Sequence, residues 1–101
     1  MELHVNRDGR CMEIYLKGEL DHHGAKGLMG RLDREIEVAL PLRLVLNFSG
    51  VTFMDSSGIA VVMRARQRMS ALGGTVKLRR AAPQVRKVLD AAGIGRLVEM
   101  E

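Results

Sequence analysis

Residues 42–58 read Leu42-Arg43-Leu44-Val45-Leu46-Asn47-Phe48-Ser49-Gly50-Val51-Thr52-Phe53-Met54-Asp55-Ser56-Ser57-Gly58. The first seven form a nearly continuous apolar run, which suits a central strand covered on both faces. Ser49-Gly50 loosens the chain, and Phe53 to Gly58 leads into a helix. The buried stripe of that helix is expected at Val62, Ala65, Met69 and Leu72, with Arg64, Gln67, Arg68 and Ala71 facing outward. Gly73-Gly74 caps it.

Downstream, Thr75-Val76-Lys77-Leu78-Arg79 alternates as a strand. Ala82-Pro83 opens a further helix, with proline suited to the first turn. Val85, Val88, Leu89 and Ala92 form its stripe and Gly93 ends it. Arg96 to Met100 reads as a last short strand or a frayed tail. Upstream, Leu3-Val5 and Met12-Ile14-Leu16 flank Asp8-Gly9, a turn signal, and read as a β-hairpin ended by Gly18. A polar loop follows from Gly18 to Gly24. Ala25, Leu28, Leu32, Ile36 and Ala39 then recur at helical spacing until Pro41. The order is β-β-α-β-α-β-α(-β). It predicts one α/β domain over residues 1–101, with a mixed four- to five-stranded sheet, parallel crossovers and three helices.

Composition excludes several classes. For 101 residues, scaling gives ~5,700 Å² of accessible surface in a folded monomer, enough burial for one core. With 47% hydrophobic and 28% charged residues the chain is not disordered. No apolar run spans a membrane. Met1 to Asn6 lacks the basic patch and apolar stretch of a signal peptide. Cys11 is the lone cysteine, so no internal disulfide forms, and the cytoplasm is the expected compartment. The net charge of +4 is uneven: residues 1–50 balance to −1 and residues 51–101 to +5. A basic half suggests nucleic acid through Arg64, Arg66, Arg68, Arg79, Arg80, Arg86 and Lys87. Tyr15, Phe48 and Phe53 are the only aromatics, too few for a base-stacking platform.

Met54 to Gly58 is the best candidate site, because function in α/β folds gathers in loops beyond strand ends. Asp and Ser there are favoured helix caps. The same helix start stabilises negative charge, so a serine could be phosphorylated there without melting the helix. Spacing alone does not choose between Ser56 and Ser57. Asp-Ser-Ser-Gly is not the Gly-x-Ser-x-Gly of a hydrolase elbow, and His22 and His23 show no catalytic spacing. Asp21-His22-His23 also suggests a metal, but adjacent helical residues point ~100° apart and do not readily share one ion. Asp21 reads more simply as the cap of the first helix.

Gly18-Glu19-Leu20-Asp21-His22-His23, Val45-Leu46-Asn47-Phe48 and Phe53-Met54-Asp55-Ser56-Ser57-Gly58-Ile59 resemble the anti-sigma factor antagonists of the STAS family, closest to the sporulation type acting on sigma factor F. The resemblance covers nearly the whole chain. It implies a STAS-like fold and a protein-binding module rather than an enzyme. The unphosphorylated form would bind an anti-sigma factor that is also a serine kinase, freeing the sigma factor. The kinase, using ATP, would phosphorylate the antagonist and release it, and a PP2C-type phosphatase would reset it. The resemblance assigns phosphorylation to Ser56. It places partner contacts at Asp21, His22, His23, Asp55, Ser57, Gly58 and Ile59. No cofactor, metal, nucleic acid or membrane is implied for this chain; ATP or ADP belongs to the partner. A general stress-response antagonist of the same family shares this chemistry. Members usually continue into a further C-terminal helix, and the sequence here stops at Glu101.

Overall fold

The computed structural model describes residues 1–101. Its elements are β1 (Glu2–Asp8), β2 (Cys11–Leu20), α1 (His22–Ala39), β3 (Arg43–Met54), α2 (Ser56–Ala71), β4 (Thr75–Arg79), α3 (Pro83–Ala91), a 3-10 turn (Ile94–Arg96) and β5 (Glu99–Met100). The order is the expected one, and the final segment is a strand. All five strands join one sheet in the order β1-β2-β3-β4-β5. β1 and β2 form an antiparallel hairpin, and β2 to β5 run parallel. The exposed surface of 5845 Å² is close to the value that chain length alone gives.

The three parallel connections all step the same way along the sheet. With the right-handed crossover that such connections take, steps in one direction put every helix on one face. Burial agrees. The core joins Met12, Ile14 and Leu16 of β2, Leu44, Leu46 and Phe48 of β3, and Val76 and Leu78 of β4 to the helical stripes. Those stripes are Ala25, Leu28, Leu32 and Ile36 on α1, Val61, Val62, Ala65 and Met69 on α2, and Val85 and Leu89 on α3. α1 and α2 are also tied by ions. Arg64 Nη2 lies 2.7 Å and Arg68 Nη2 3.2 Å from Asp33 Oδ2.

β3 is central but not covered by helices on both faces. Its second face carries Val45 and Asn47, both buried, and neither belongs to the core cluster. Polar side chains cover it instead. Asn47 Nδ2 donates to Glu13 Oε2 at 3.0 Å, and Arg79 Nη1 donates to the same carboxylate at 3.3 Å. Two strands are also longer than the sequence suggests. β2 passes Gly18 and ends at the fully buried Leu20, and β3 passes Ser49-Gly50 to Met54. Between the Tyr15–Asn47 and Lys17–Gly50 pairs, β3 advances three residues to β2's two. It gains a second extra residue between Gly18–Val51 and Glu19–Phe53. Each surplus residue is absorbed as a bulge, so the ladder bends without breaking.

Smaller differences follow the same logic. β1 continues through Asp8, which pairs with Cys11, so the two-residue loop is Gly9-Arg10. Leu72 is left 36% exposed as the cap of α2, and Gly58 and Val61 complete the buried stripe. Ala92 is exposed and Val88 half-buried.

Candidate functional site

β2 and β3 are parallel neighbours with Leu20 opposite Met54, so their next residues, Asp21 and Asp55, come side by side. The Asp55 N–H donates to the Leu20 carbonyl at 3.3 Å. Each aspartate caps a helix. Asp21 Oδ1 accepts from the Gly24 N–H at 2.8 Å, and Asp55 Oδ1 accepts from the Ser57 N–H at 2.8 Å. Two helix N-termini therefore open at the same sheet edge, each carrying a carboxylate where the backbone dipoles favour negative charge.

Ser56 is the first residue of α2 and is exposed, and its hydroxyl has no hydrogen-bond partner. Ser57 is half-buried, with its N–H held by Asp55. Capping and presentation of a hydroxyl thus fall to different residues. His22 and His23 are exposed at the start of α1, and no base hydrogen-bonds either serine. Asp21 is engaged as a cap, and no group of three or more His, Cys, Asp or Glu side chains suited to a metal gathers anywhere.

Two glycines hold the helix starts against the strand ends. Gly58 is buried, and a Cβ there would lie 2.6 Å from Met54 Cγ and 2.8 Å from its sulfur. A Cβ on Gly24 would collide with the Glu19 carbonyl oxygen. Gly58 therefore offers no side-chain surface of its own. Ile59 is half-buried and lines a shallow groove with Ser56, Gln84, Lys87, Val88 and Ala91.

Gln84 is the residue that sequence reasoning missed. Its Nε2 donates to the Met54 carbonyl at 2.9 Å, and its Oε1 accepts from the Met54 N–H at 3.0 Å. β4 pairs only with Arg43 to Asn47, which leaves the later half of β3 without a strand neighbour on that side. The amide supplies the missing donor and acceptor one residue before the Asp55 cap. A glutamine after a helix-opening proline carries no sequence signal of that role.

The basic residues of the second half do not form one stripe. Arg64 and Arg68 pair with α1 acids, Arg79 with Glu13 and Glu101, and Arg86 with Asp90.

This sheet with three helices on one side, and two capped helix starts at its edge, define the class. The STAS domain profile matches residues 2–101, and the chain belongs to that family. Within it, the chain is 33% identical over 82 residues to the anti-sigma F factor antagonist of Lysinibacillus sphaericus, covering 81% of this chain and 70% of that one. It is 29% identical to the anti-sigma F factor antagonist of Paenibacillus polymyxa, covering 97% and 84%. To the anti-sigma-B factor antagonist of Bacillus subtilis strain 168 it is 24% identical, covering 95% and 86%. Among solved structures, it matches the anti-sigma factor antagonist SpoIIAA in its unphosphorylated form with a TM-score of 0.84 and 28% identity, over 99% of this chain and 88% of that one. It matches the phosphorylated form of Bacillus SpoIIAA with a TM-score of 0.75 and 27% identity, over 99% and 91%. The expected STAS-like fold is therefore observed.

Proposed function

We propose that this protein is an anti-sigma factor antagonist of the sigma F type, acting in the cytoplasm and switched by phosphorylation of Ser56. Unphosphorylated, it binds an anti-sigma factor that is also a serine kinase and frees the sigma factor. The kinase transfers phosphate from ATP to the Ser56 hydroxyl, and a PP2C-type phosphatase removes it. The observation that carries the reading is the exposed, unengaged Ser56 hydroxyl at the start of α2, in a chain similar to the two anti-sigma F factor antagonists. Asp21, His22 and His23 from α1, and Asp55, Ser57 and Ile59 from α2, surround it as the partner-binding surface. Gly58 contributes by letting α2 close on Met54.

Incubation with an anti-sigma kinase and ATP, followed by intact mass and site mapping, tests this. One phosphate on Ser56 is expected, and none on Ser56→Ala. Labelling confined to Ser57 would contradict it. The general stress-response reading has the weaker similarity, 24% to the anti-sigma-B factor antagonist. Comparing binding to the two kinds of anti-sigma factor separates them, with preference for the sigma F type expected.

A further inference from the structure

The shallow groove beside Ser56 separates the start of α2 from α3. Ser56 and Ile59, one turn apart, form its α2 wall, and Gln84, Lys87, Val88 and Ala91 form its α3 wall. The α3 residues recur at helical intervals of three and four, so they share one face, and the groove places that face against α2. The Gln84 amide ties the two walls together. It holds the backbone of Met54, two residues before Ser56, at 2.9 and 3.0 Å. Lys87 stands one helical turn, about 5.4 Å, along α3 from that tie. It is the one cation of the groove and has no work in the fold: it is exposed and makes no hydrogen bond or ion pair. Its neighbour Arg86 is bound to Asp90 at 3.2 Å and does not line the groove. Of the other charged groups at this sheet edge, Asp21 and Asp55 cap their helices, and His22 and His23 open α1.

We infer that Lys87 receives the phosphate carried by Ser56, in an ion pair that spans the groove between α2 and α3. The inference rests on the phosphorylation of Ser56 proposed above and adds a residue from a third helix to that site. A phosphoserine titrates near pH 6 and carries up to two negative charges. The start of α2 and the Lys87 ammonium both favour the doubly charged form, and Asp55 opposes it. Lysine suits this work because its charge is compact and its four-carbon stem flexible, so it follows an anion that comes and goes. Ile59 lies in the same groove. A phosphate drawn toward Lys87 therefore sits over part of the proposed partner surface, where a partner would have to bury it.

The test is a phosphorus NMR pH titration, at physiological salt, of the full chain with phosphoserine genetically encoded at position 56, so that no kinase is needed. Lys87→Gln should raise the second pKa of the phosphate by about 0.2–0.7 pH unit, the size of an exposed ion pair. Lys87→Arg should restore the lower value. Arg43→Gln removes the same charge at the start of β3, twelve residues of strand from Met54, and should leave the pKa where it was. Without phosphate, Lys87→Gln should melt like the wild type. An unchanged pKa in Lys87→Gln, an equal change in Arg43→Gln, a Lys87→Arg variant that behaves like Lys87→Gln, or a lowered Tm of unphosphorylated Lys87→Gln would overturn the pairing. Failure of an anti-sigma kinase to label Ser56 would overturn the switch instead, and would leave this titration untouched.

Discussion

Asp55 and Ser56 are adjacent and chemically similar as helix caps, yet the fold gives them different work. Both residue types accept from free helix N–H groups, so the sequence could not say which one caps α2. The structure gives the cap to Asp55, through its 2.8 Å bond from Ser57. Ser56→Ala should therefore shift stability by no more than ~0.5 kcal/mol, as at an uninvolved surface position. Asp55→Ala should cost ~0.5–2 kcal/mol, the loss of a cap. Urea unfolding of the two variants checks the ordering; equal losses would contradict the division. Asp21→Asn keeps a capping oxygen and removes the charge. It should melt near the wild type while weakening the complex with the anti-sigma factor, read by calorimetry. Gly58→Ala places a methyl group against a fully buried Met54 and should cost ~1–3 kcal/mol in the same unfolding assay.

Elements were legible where periodicity was strong and obscure where pairing overrode local composition. The stripes on α1 and α3, and the alternation in β2 and β4, follow from which residues must face one core. The ends of β2 and β3 did not, because Gly18 and Ser49-Gly50 look like breakers while the parallel ladder tolerates them as bulges. Helix docking was equally hidden, since Gln84 meets Met54 across 30 residues. Gln84→Ala leaves a backbone donor and acceptor of β3 without that partner. It should cost ~1–3 kcal/mol and speed hydrogen exchange at Met54 and Asp55. The α1–α2 contact has a pH signature. The hydrogen bond from Arg64 holds the Asp33 carboxyl below its ordinary range, against the opposing effect of burial. A lowered folded value means that the native state binds fewer protons in that window. The contribution is fully present above the ordinary carboxylate pKa and is lost as pH falls through the lowered one. Thermal melts should show the wild type ahead of Asp33→Asn at neutral pH, with the gap closing in acid. A gap independent of pH would contradict this origin.

Over the whole molecule, one topological fact arranges everything else. Three crossovers in one direction put the helices on one face and bring two helix starts to one edge. The alternation of elements made the parallel crossovers legible, but not their common direction along the sheet. The open second face, with Glu13, Asn47 and Arg79 over the central strand, was not legible either, because an apolar run looks the same whether helices or polar side chains cover it. The arrangement also bears on how a phosphate would act. A phosphoserine brings about −1.5 to −2 charge, which the start of α2 favours and the neighbouring Asp55 opposes. By that balance the fold itself has little to gain or lose. NMR shifts on phosphorylation should stay near Ser56 and Asp21; changes reaching Val76 or Leu78 would mean an allosteric change instead. Under the proposed switch, the block would lie at the interface, where an unpaired buried charge costs ~3–5 kcal/mol. The most direct measurement is the affinity of the anti-sigma factor for the unmodified and the Ser56-phosphorylated protein, compared by calorimetry. A loss of roughly 150- to 5,000-fold on phosphorylation is predicted. Equal affinity of the two forms would contradict the switch.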